Sequence, residues 1–298
     1  MVTFYRRLPK FDYVKPKSLD EVLKLLAEGT NGKCKIYAGG TDVIPGLKRR
    51  ETDKPETLVD LKGIPDLDYI DHDEEIGLRI GALATIRAVA GSSIVSKHFP
   101  LLSQAAGRIA SNQVQNRGTI AGNICSAVPS ADSAPALLCL DANLVCAKEN
   151  GERQIGIDAF FKGPNETVMN PDELLKEIQI PPMSENSHGV YIKLSPRSRM
   201  DLAVVGVAAL LGVENGTLGH VKIGLGAVSP TPMRARDAED HLLGKKANDE
   251  VISKAARLAS EESKPISDHR ASADYRKMMV EVLVKRAIHQ ALSGVSFK

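Results

Sequence analysis

The sequence predicts an α+β protein, with a mixed α/β N-terminal portion followed by a smaller α+β C-terminal domain. Helix and strand patterns alternate up to about residue 180, a pattern typical of mixed α/β packing. A proline-rich polar stretch at residues 181–187 then reads as a linker. Beyond it, two long strand-like stretches are followed by three helical patterns, which indicates a second unit.

The chain begins with a predicted helix, a strand and a glycine turn. Ser18 and Glu21 have the spacing of a capping box, in which each side chain accepts a hydrogen bond from the other residue's backbone N–H. Apolar residues at helical spacing follow, and Gly29 predicts the end of the helix. The strand expected at residues 35–38 leads directly into Gly-Gly-Thr-Asp at residues 39–42.

The middle of the chain alternates short strands and helices. The predicted strands are residues 57–61, 76–83, 144–147 and 178–180, and the predicted helices are 85–90, 100–110 and 133–140. Thr85 is the expected cap of the first of these helices. Residues 63–73 are expected to be turns, and residues 117–123 are expected to form a second glycine-bearing loop.

The C-terminal part is predicted to pair two strands and then add three helices. The strands are expected at residues 204–213 and 221–228, joined by a Glu-Asn-Gly turn, and the helices near 234–243, 247–263 and 271–292. Gly-Leu-Gly at residues 224–226 resembles part of a dinucleotide loop, but Ser229 occupies the place of the third glycine. We interpret it as a structural turn.

Composition excludes several classes of function. The 39 Lys and Arg residues nearly balance the 37 Asp and Glu residues, so the chain lacks the basic face that nucleic-acid binding needs. No apolar run reaches the roughly 18 to 20 residues of a membrane span. The N-terminal stretch has two arginines but no apolar signal core after them. We therefore expect a cytoplasmic protein.

The chain offers no pattern for a metal site or a catalytic side chain. Its cysteines, Cys34, Cys125, Cys139 and Cys146, form no C-x-x-C pair, so an iron–sulfur cluster or zinc site within this chain is not expected. The histidines are scattered and lack metal-ligand spacing. No serine lies in a nucleophile elbow. We assign no catalytic and no metal-binding residue.

The two glycine segments carry the chemical information. Consecutive backbone N–H groups in a glycine turn form an anion-binding concavity, and glycine lets a phosphate approach closely. Gly39-Gly40-Thr41 is expected to form one such nest, and Gly118-Thr119 with Gly122-Asn123 a second. Neither segment has the Rossmann pattern G-x-G-x-x-G or the Walker A ending. The pair therefore indicates a nucleotide site of a less common type.

Further motifs occur in a fixed order along the chain. They are AGGTD at 38–42, GTIAGNI at 118–124, SAD at 130–132, PDELL at 171–175, YIK at 191–193, RSRMDLA at 197–203 and GLGAVSPTP at 224–232 with Arg-Ala at 234–235. In this order and spacing the chain resembles the FAD-binding medium subunit of the molybdenum hydroxylases, the xanthine dehydrogenase and carbon monoxide dehydrogenase family. The resemblance covers nearly the whole chain. Ala121 departs from it, since many relatives have glycine there.

The resemblance implies a fold and a set of cofactor contacts. The fold is a two-subdomain α/β FAD-binding domain at residues 1–181, divided at about 62, followed by a C-terminal flavoprotein domain at 188–298. The first FAD loop would comprise Ile36, Tyr37, Ala38, Gly39, Gly40, Thr41, Asp42 and Val43. The second would comprise Thr119, Ile120, Ala121, Gly122 and Asn123. Apolar packing on the cofactor is expected from Ile109 and Leu175, and polar contacts from Asp132 and Lys193.

Charge gives two of these positions a physical role. Reduced flavin tends to carry negative charge, so a nearby cation raises its reduction potential. Lys193 or Arg199 can supply that cation. Asp132 can also serve as the N-cap of the apolar helix that follows it, and the two roles are compatible.

The resemblance also implies partners. In the family, a small subunit carries two [2Fe-2S] clusters and a large subunit carries the molybdenum cofactor and the substrate pocket. Electrons would pass from molybdenum through the clusters to FAD, and then to NAD⁺ or another acceptor.

Three alternatives remain open. One is a free-standing FAD-dependent reductase of the same wider fold, such as the enzyme that reduces an enolpyruvyl sugar nucleotide. Another is a non-catalytic assembly module that has lost its flavin. The third is a phosphate-binding transferase, for which no general base or metal cluster accompanies the loops.

Overall fold

The computed structural model describes residues 7–29, 33–184, 186–197 and 200–295. Its first subdomain contains a parallel sheet in the order β1-β3-β2. The strands are β1 (Asp12–Val14), β2 (Cys34–Tyr37) and β3 (Thr57–Asp60), and the helices between them are α1 (Leu19–Glu28) and α2 (Val43–Arg49). Because β2 and β3 are parallel neighbours, the segments that follow Tyr37 and Asp60 leave the same edge of the sheet.

Helix α1 forms as predicted, with one difference at its cap. The Ser18 hydroxyl accepts from the Glu21 N–H at 3.3 Å. The Glu21 carboxylate reaches one residue further back than expected and accepts from the Lys17 N–H at 2.7 Å. Gly29 ends the helix, as predicted, and its N–H donates to the Leu25 carbonyl.

The second subdomain contains a five-stranded sheet in which all neighbours are antiparallel, in the order β4-β5-β10-β6-β7. Its strands are β4 (Ile70–Asp73), β5 (Gly77–Gly81), β6 (Asn143–Lys148), β7 (Gly151–Gly156) and β10 (Leu174–Ile180), and β8 (Phe161–Gly163) with β9 (Glu166–Thr167) forms a small ribbon. The helices are α3 (Ile86–Gly91), α4 (Ser93–His98), α5 (Pro100–Gly107), α6 (Asn112–Gln115), α7 (Ile120–Cys125) and α8 (Ser133–Cys139).

The C-terminal domain has a four-stranded antiparallel sheet and three helices. The strands, in their order across the sheet, are β11 (Ser187–Leu194), β12 (Val205–Glu214), β13 (Thr217–Gly226) and β14 (Met233–Arg234), and the helices are α9 (Arg236–Leu242), α10 (Asp249–Glu262) and α11 (Ala273–Gly294). The predicted turn between β12 and β13 is confirmed. Asn215 and Gly216 both have positive φ, as the tight hairpin requires.

The sheet of the C-terminal domain is covered on both faces. Ala208 and Leu210 of β12 belong to the core of the N-terminal half of the chain, whereas Val207 and Leu211 belong to the core formed with α9–α11. A strand buried on both faces shows a continuous apolar run rather than alternation. Residues 205–211 have that run.

The interpretation of residues 224–226 as a turn is wrong, because both glycines lie within β13. They are small because helix α8 packs on this strand. A Cβ on Gly224 would lie 2.3 Å from the Pro135 carbonyl oxygen, and one on Gly226 would lie 2.9 Å from the Pro135 ring. These glycines permit close contact between helix and sheet.

Several elements escaped sequence-based prediction. Among them, β4 and β7 are the two edge strands of the five-stranded sheet. Most residues of β7 are exposed, and β4 has no fully buried residue. Edge strands of this kind lack the apolar alternation by which strands are recognised. This is why residues 63–73 were predicted as turns, although they include strand β4.

Candidate functional site

The two glycine segments meet in a cleft between the first and second subdomains. A Cβ on Gly39 would lie 1.9 Å from the Arg117 carbonyl oxygen and 2.8 Å from the Gly118 Cα. A Cβ on Gly118 would lie 3.2 Å from the Thr41 hydroxyl. The backbones of the two segments are thus in direct contact, and only glycine permits this approach.

The first segment connects β2 to α2 by a tight turn. Gly40 has φ +74°, and a Cβ there would lie 2.2 Å from the Tyr37 ring. Within the part of the chain that the structure describes, no protein group accepts from the backbone N–H of Gly39, Gly40, Thr41 or Asp42. Successive unpaired amides in a tight turn are the arrangement that binds anions.

The prediction that residues 117–123 form a loop is wrong for the second part of this segment. Helix α7 begins at Ile120, and Thr119 is its N-cap. The Thr119 hydroxyl accepts from the Gly122 N–H at 2.9 Å, and the Thr119 carbonyl accepts from the Asn123 N–H at 3.0 Å. The expectation that Gly122 and Asn123 offer free amides to an anion is therefore wrong. Their amides stabilise the helix instead.

A hydrogen bond also joins the two subdomains beyond the glycines. The Ser126 hydroxyl donates to the Asp42 carboxylate at 2.6 Å. Asp42 precedes α2, and Ser126 follows α7. This contact fixes the first glycine segment against the end of helix α7.

The cleft beside the glycines has a volume of about 300 Å³. Both subdomains contribute to its walls. Clefts between two structural units are a common location of ligand sites. Its lining residues are Ala38, Gly39, Lys62, Gly63, Ile64, Pro65, Asp68, Leu83, Thr85, Asn116, Arg117 and Thr119. Of the predicted cofactor residues, it brings together Ala38, Gly39 and Thr119.

Lys62 is the most distinctive lining residue that sequence reasoning missed. Its ammonium lies 2.7 Å from the Asp60 carboxylate, 3.0 Å from the Ala38 carbonyl oxygen and 3.5 Å from the centroid of the Tyr37 ring. The signal that could have found it is the pairing of parallel strands. Residues that follow two adjacent parallel strands lie at one edge, and Lys62 and Ala38 follow β3 and β2.

Asp60 holds Lys62 in place. Its side chain is 3% exposed and accepts from the Lys62 ammonium, the Lys62 backbone N–H and the Tyr13 hydroxyl. Burial by itself raises the pKa of Asp60, but the hydrogen bonds from Lys62 and Tyr13 outweigh burial and leave the pKa below its usual value. The hydrogen bond to Asp60 in turn raises the pKa of Tyr13 to about 12.

This arrangement makes part of the stability depend on pH. A carboxyl group whose pKa is lower in the folded state stabilises the protein above its unfolded-state pKa of about 3.9, and the stabilisation is lost as pH falls through the folded-state value. We expect Asp60→Asn to reduce the free energy of unfolding at neutral pH. Urea unfolding of both proteins should show this difference shrinking below about pH 4. A difference that stays constant with pH would contradict the role given to Asp60.

A second charged cluster lies between the second subdomain and the C-terminal domain. The Asp132 carboxylate accepts from the Tyr191 hydroxyl at 2.7 Å and from the Lys193 ammonium at 2.7 Å. The Lys193 ammonium also donates to the Arg108 carbonyl. Burial raises the pKa of Asp132, and the contacts from Lys193 and Tyr191 oppose this effect. Burial also raises the pKa of Tyr191 well above its ordinary value.

Asp132 does not cap the helix that follows it. It occupies the N-cap position of α8, but it has helical backbone angles and its side chain makes no capping hydrogen bond. The carboxylate is used instead by Tyr191 and Lys193. The adjacent Ser133 hydroxyl donates to the Asn123 side chain at 2.6 Å, which links this cluster to α7.

The remaining predicted residues lie around these features. Several are buried in the main core and do not line the 300 Å³ cleft: Ile109, Ile120, Ala121 and Leu175. Ile36 is partly buried against the same core. Val43 is the first residue of α2. Arg199, the alternative cation, lies outside the described residues.

The described part of the chain offers neither a candidate membrane span nor a candidate metal site. No helix in that part of the chain has the length and apolar character needed to cross a membrane. No group of three or more His, Cys, Asp or Glu side chains there is arranged to hold a metal ion.

A parallel β-α unit faces an antiparallel sheet across a cleft, and the turn beside that cleft leaves four backbone amides without a protein acceptor among the described residues. This combination is typical of proteins that bind a phosphate-bearing cofactor. Comparison with known families specifies which kind. Residues 9–183 match the FAD binding domain in molybdopterin dehydrogenase, and residues 190–291 match the CO dehydrogenase flavoprotein C-terminal domain.

Individual relatives agree over nearly the whole chain. The carbon monoxide dehydrogenase medium chain of Hydrogenophaga pseudoflava is 35% identical over 95% of this chain and 97% of its own length. The glyceraldehyde dehydrogenase medium chain of Sulfolobus acidocaldarius is 34% identical over 95% of this chain and 98% of its own. The xanthine dehydrogenase FAD-binding subunit of Escherichia coli O157:H7 is 31% identical over 96% and 97%.

Solved structures give the same result. A chain of the H. pseudoflava carbon monoxide dehydrogenase, in a form lacking the Mo-pyranopterin moiety, superposes with a TM-score of 0.93 at 35% identity, covering 97% of this chain and 100% of that one. A chain of quinoline 2-oxidoreductase from Pseudomonas putida 86 gives 0.91 at 31% identity, covering 98% and 100%.

The chain belongs to the family of FAD-binding medium subunits of the molybdenum hydroxylases. The resemblance inferred from the motifs is confirmed, and so is the α+β fold class. As a family member the chain is a subunit of an oxidoreductase.

Proposed function

We propose that this chain holds FAD with its diphosphate at the backbone amides of Gly39, Gly40, Thr41 and Asp42. The observation that carries the proposal is that these four amides have no protein acceptor within the described part of the chain. Each N–H that donates to a phosphate oxygen forms a charge-assisted hydrogen bond, which is stronger than one between neutral groups. The contact of Gly39 with residues 117–118 supports the position, because it brings the second glycine segment to the same point.

The side chains around the amides suit this group. Thr41 offers a hydroxyl beside Gly118, and Thr119 and Lys62 line the adjoining cleft. The remaining predicted contacts, from Ile36 to Val43, from Thr119 to Asn123, and at Ile109, Asp132, Leu175 and Lys193, are proposed by similarity to the family. Bound FAD would supply one- and two-electron chemistry, which none of these side chains provides.

Lys193 is proposed as the cation nearest the flavin. Its ion pair with Asp132 reduces the effect that this cation has on the flavin. Its ammonium is 2.7 Å from Asp132, so the pair presents a dipole rather than a full positive charge. A dipole stabilises a negatively charged reduced flavin less than an isolated ammonium would. We therefore expect Lys193 to raise the flavin potential only modestly while Asp132 is ionised.

The larger assembly is proposed by analogy with the family. The chain would lie between a small subunit with two [2Fe-2S] clusters and a large subunit with the molybdenum cofactor. It would connect those clusters to an external acceptor, either NAD⁺ or another molecule. The cytoplasm is the proposed location, and the free thiols Cys34, Cys125, Cys139 and Cys146 suit it.

Gly40→Val tests the diphosphate site. A branched side chain at this position meets the Tyr37 ring and requires a φ that valine does not adopt, so the turn must change shape. We expect the Kd for FAD to rise by about tenfold or more, because at least one charge-assisted hydrogen bond is lost. Fluorescence titration of the flavin-free full-length chain measures this. Unchanged affinity would show that the diphosphate binds elsewhere.

Co-purification tests the assembly. The chain, tagged and isolated from its own host, is expected to bring with it an iron–sulfur chain and a large molybdenum-containing chain. Metal analysis of the isolated material should then find iron and molybdenum. Isolation of a flavin-loaded chain without iron or molybdenum would favour the free-standing reductase.

A further inference from the structure

Two histidines that are distant in the sequence stack on each other at the edge of the second subdomain. His72 lies in the edge strand β4, and His98 is the last residue of α4. Their ring centroids are 4.2 Å apart, and the rings are inclined by 26°. The His72 ring also meets the edge of the Phe99 ring, with 5.8 Å between the centroids. Phe99 is 1% exposed, so the stack joins a solvent-facing strand to the core.

Strand β4 has few other attachments. It hydrogen-bonds to β5 along one edge only. Its residues Asp71 and Asp73 face solvent, whereas Ile70 and His72 are partly buried. Ile70 packs against the main core. Segments with little buried apolar surface open locally at a low cost in free energy, so the contact of His72 with His98 carries a large share of the attachment of β4.

The charge of the two rings depends on pH. Histidine is the side chain that ordinarily gains or loses its proton between about pH 5 and 8. The rings can stack while at least one of them is neutral. Two protonated rings place like charges about 4 Å apart, and their repulsion opposes the contact.

The charged groups around the pair act in both directions. Partial burial, the His72 ring and Lys97 lower the pKa of His98, whereas Glu74 opposes them. Asp73 lies near enough to His72 for opposite charges on the two side chains to attract each other. The carboxylates therefore help the pair to accept one proton, but a second proton is repelled by the first and by Lys97. The other charged residues on the neighbouring elements are engaged elsewhere or exposed: Asp71 accepts from the His72 backbone N–H, Arg79 pairs with Glu177, and Arg87 of α3 faces solvent.

From this geometry we propose that the His72–His98 stack is a pH-sensitive contact that holds β4 on the sheet while one ring is neutral and releases it when both rings are protonated. When β4 opens, the rings separate and take up protons near the ordinary imidazole pKa of about 6.5, whereas the closed pair takes up its second proton only at lower pH. The contact is therefore complete above about pH 6.5 and is lost as the pH falls below it. Release uncovers the backbone N–H and C=O groups of β5, and such an uncovered edge can pair with a strand of another molecule.

Hydrogen–deuterium exchange of the full-length chain at about pH 7 and about pH 5 tests the proposal. Exchange is measured for β4 and, as an internal reference, for β12, which is buried on both faces. After correction for the intrinsic pH dependence of exchange, we expect the opening equilibrium constant of β4 to be about tenfold larger at the lower pH. That of β12 should change by less than about twofold.

Two variants separate the charge of the pair from its shape. His98→Phe keeps a ring on His72 but removes one of the two titrating groups, so the opening constant of β4 should change by less than about twofold between the two pH values. His269→Gln alters an exposed histidine between α10 and α11 and should keep the wild-type ratio. The readout is a ratio for each protein, so a difference in overall stability between variants does not affect it.

Three results would overturn the proposal. The first is equal opening of β4 at both pH values in the wild type. The second is the same acid-dependent opening in His98→Phe, which would assign the effect to other groups. The third is an equal rise for β12, which would mean that the whole chain unfolds in acid. If His98→Phe does not fold, His72→Phe makes the same change from the other ring and the same outcomes decide.

Discussion

Gly39→Ala is expected to abolish retention of FAD. The added Cβ would lie 1.9 Å from the Arg117 carbonyl oxygen, which is a backbone atom and cannot rotate away. The two glycine segments must therefore separate, and the turn that presents the amides of residues 39–42 changes shape. If two charge-assisted hydrogen bonds are lost, at about 1.5 to 3 kcal/mol each, the Kd for FAD rises at least about a hundredfold.

The control for this variant is another glycine-to-alanine change. A Cβ on Gly107, at the end of α5 in the second subdomain, would meet no atom within 4 Å. Gly107→Ala should bind FAD like the wild type, and its stability should be equal or slightly higher. Flavin content after gel filtration and a urea unfolding curve are measured for each variant. A folded Gly39→Ala chain that retains its flavin would contradict the proposed position of the diphosphate.

Of the variants proposed here, Lys193→Met is expected to cause the largest loss in the free energy of unfolding. The Lys193 side chain is 9% exposed and its partner Asp132 is 6% exposed, so the variant leaves a carboxylate buried with only Tyr191 as a donor. Removing one member of a buried ion pair typically costs about 3 to 5 kcal/mol. Urea unfolding at neutral pH measures the loss.

Two comparisons show whether the cost comes from the orphaned carboxylate. The loss should shrink as pH falls, because the pKa of Asp132 is raised in the folded variant and protonation removes the buried charge. The double variant Asp132→Asn/Lys193→Met should regain much of the lost stability. Lys24→Met, which removes an exposed pair with Glu28, should cost less than about 1 kcal/mol. An effect of Lys193→Met as small as that of Lys24→Met would contradict the account.

Local patterns in the sequence predicted most of the fold. The cap at Ser18, the end of α1 at Gly29 and the hairpin at residues 215–216 depend on neighbouring residues, so their signals lie within short windows. Edge strands such as β7 gave no signal, because most of their residues face solvent. Gly224 was misread because its role depends on Pro135, which is distant in the chain.

The candidate site was predicted less completely, for the same reason. The conformation of Gly40 follows from its local turn, and the sequence indicated it. The contact between Gly39 and Arg117 joins residues far apart in the chain, and no local pattern encodes it. The same holds for Lys62, whose position depends on the pairing of β2 with β3. In residues 120–123, the glycine suggested a loop where Thr119 in fact starts a helix.

A crystal structure of the full-length chain with FAD tests the central claim most directly. The account predicts diphosphate oxygens within about 3.2 Å of the backbone nitrogens of Gly39, Gly40, Thr41 and Asp42. It would be contradicted by FAD bound with its diphosphate away from these amides, or by side chains that fill the space in front of them.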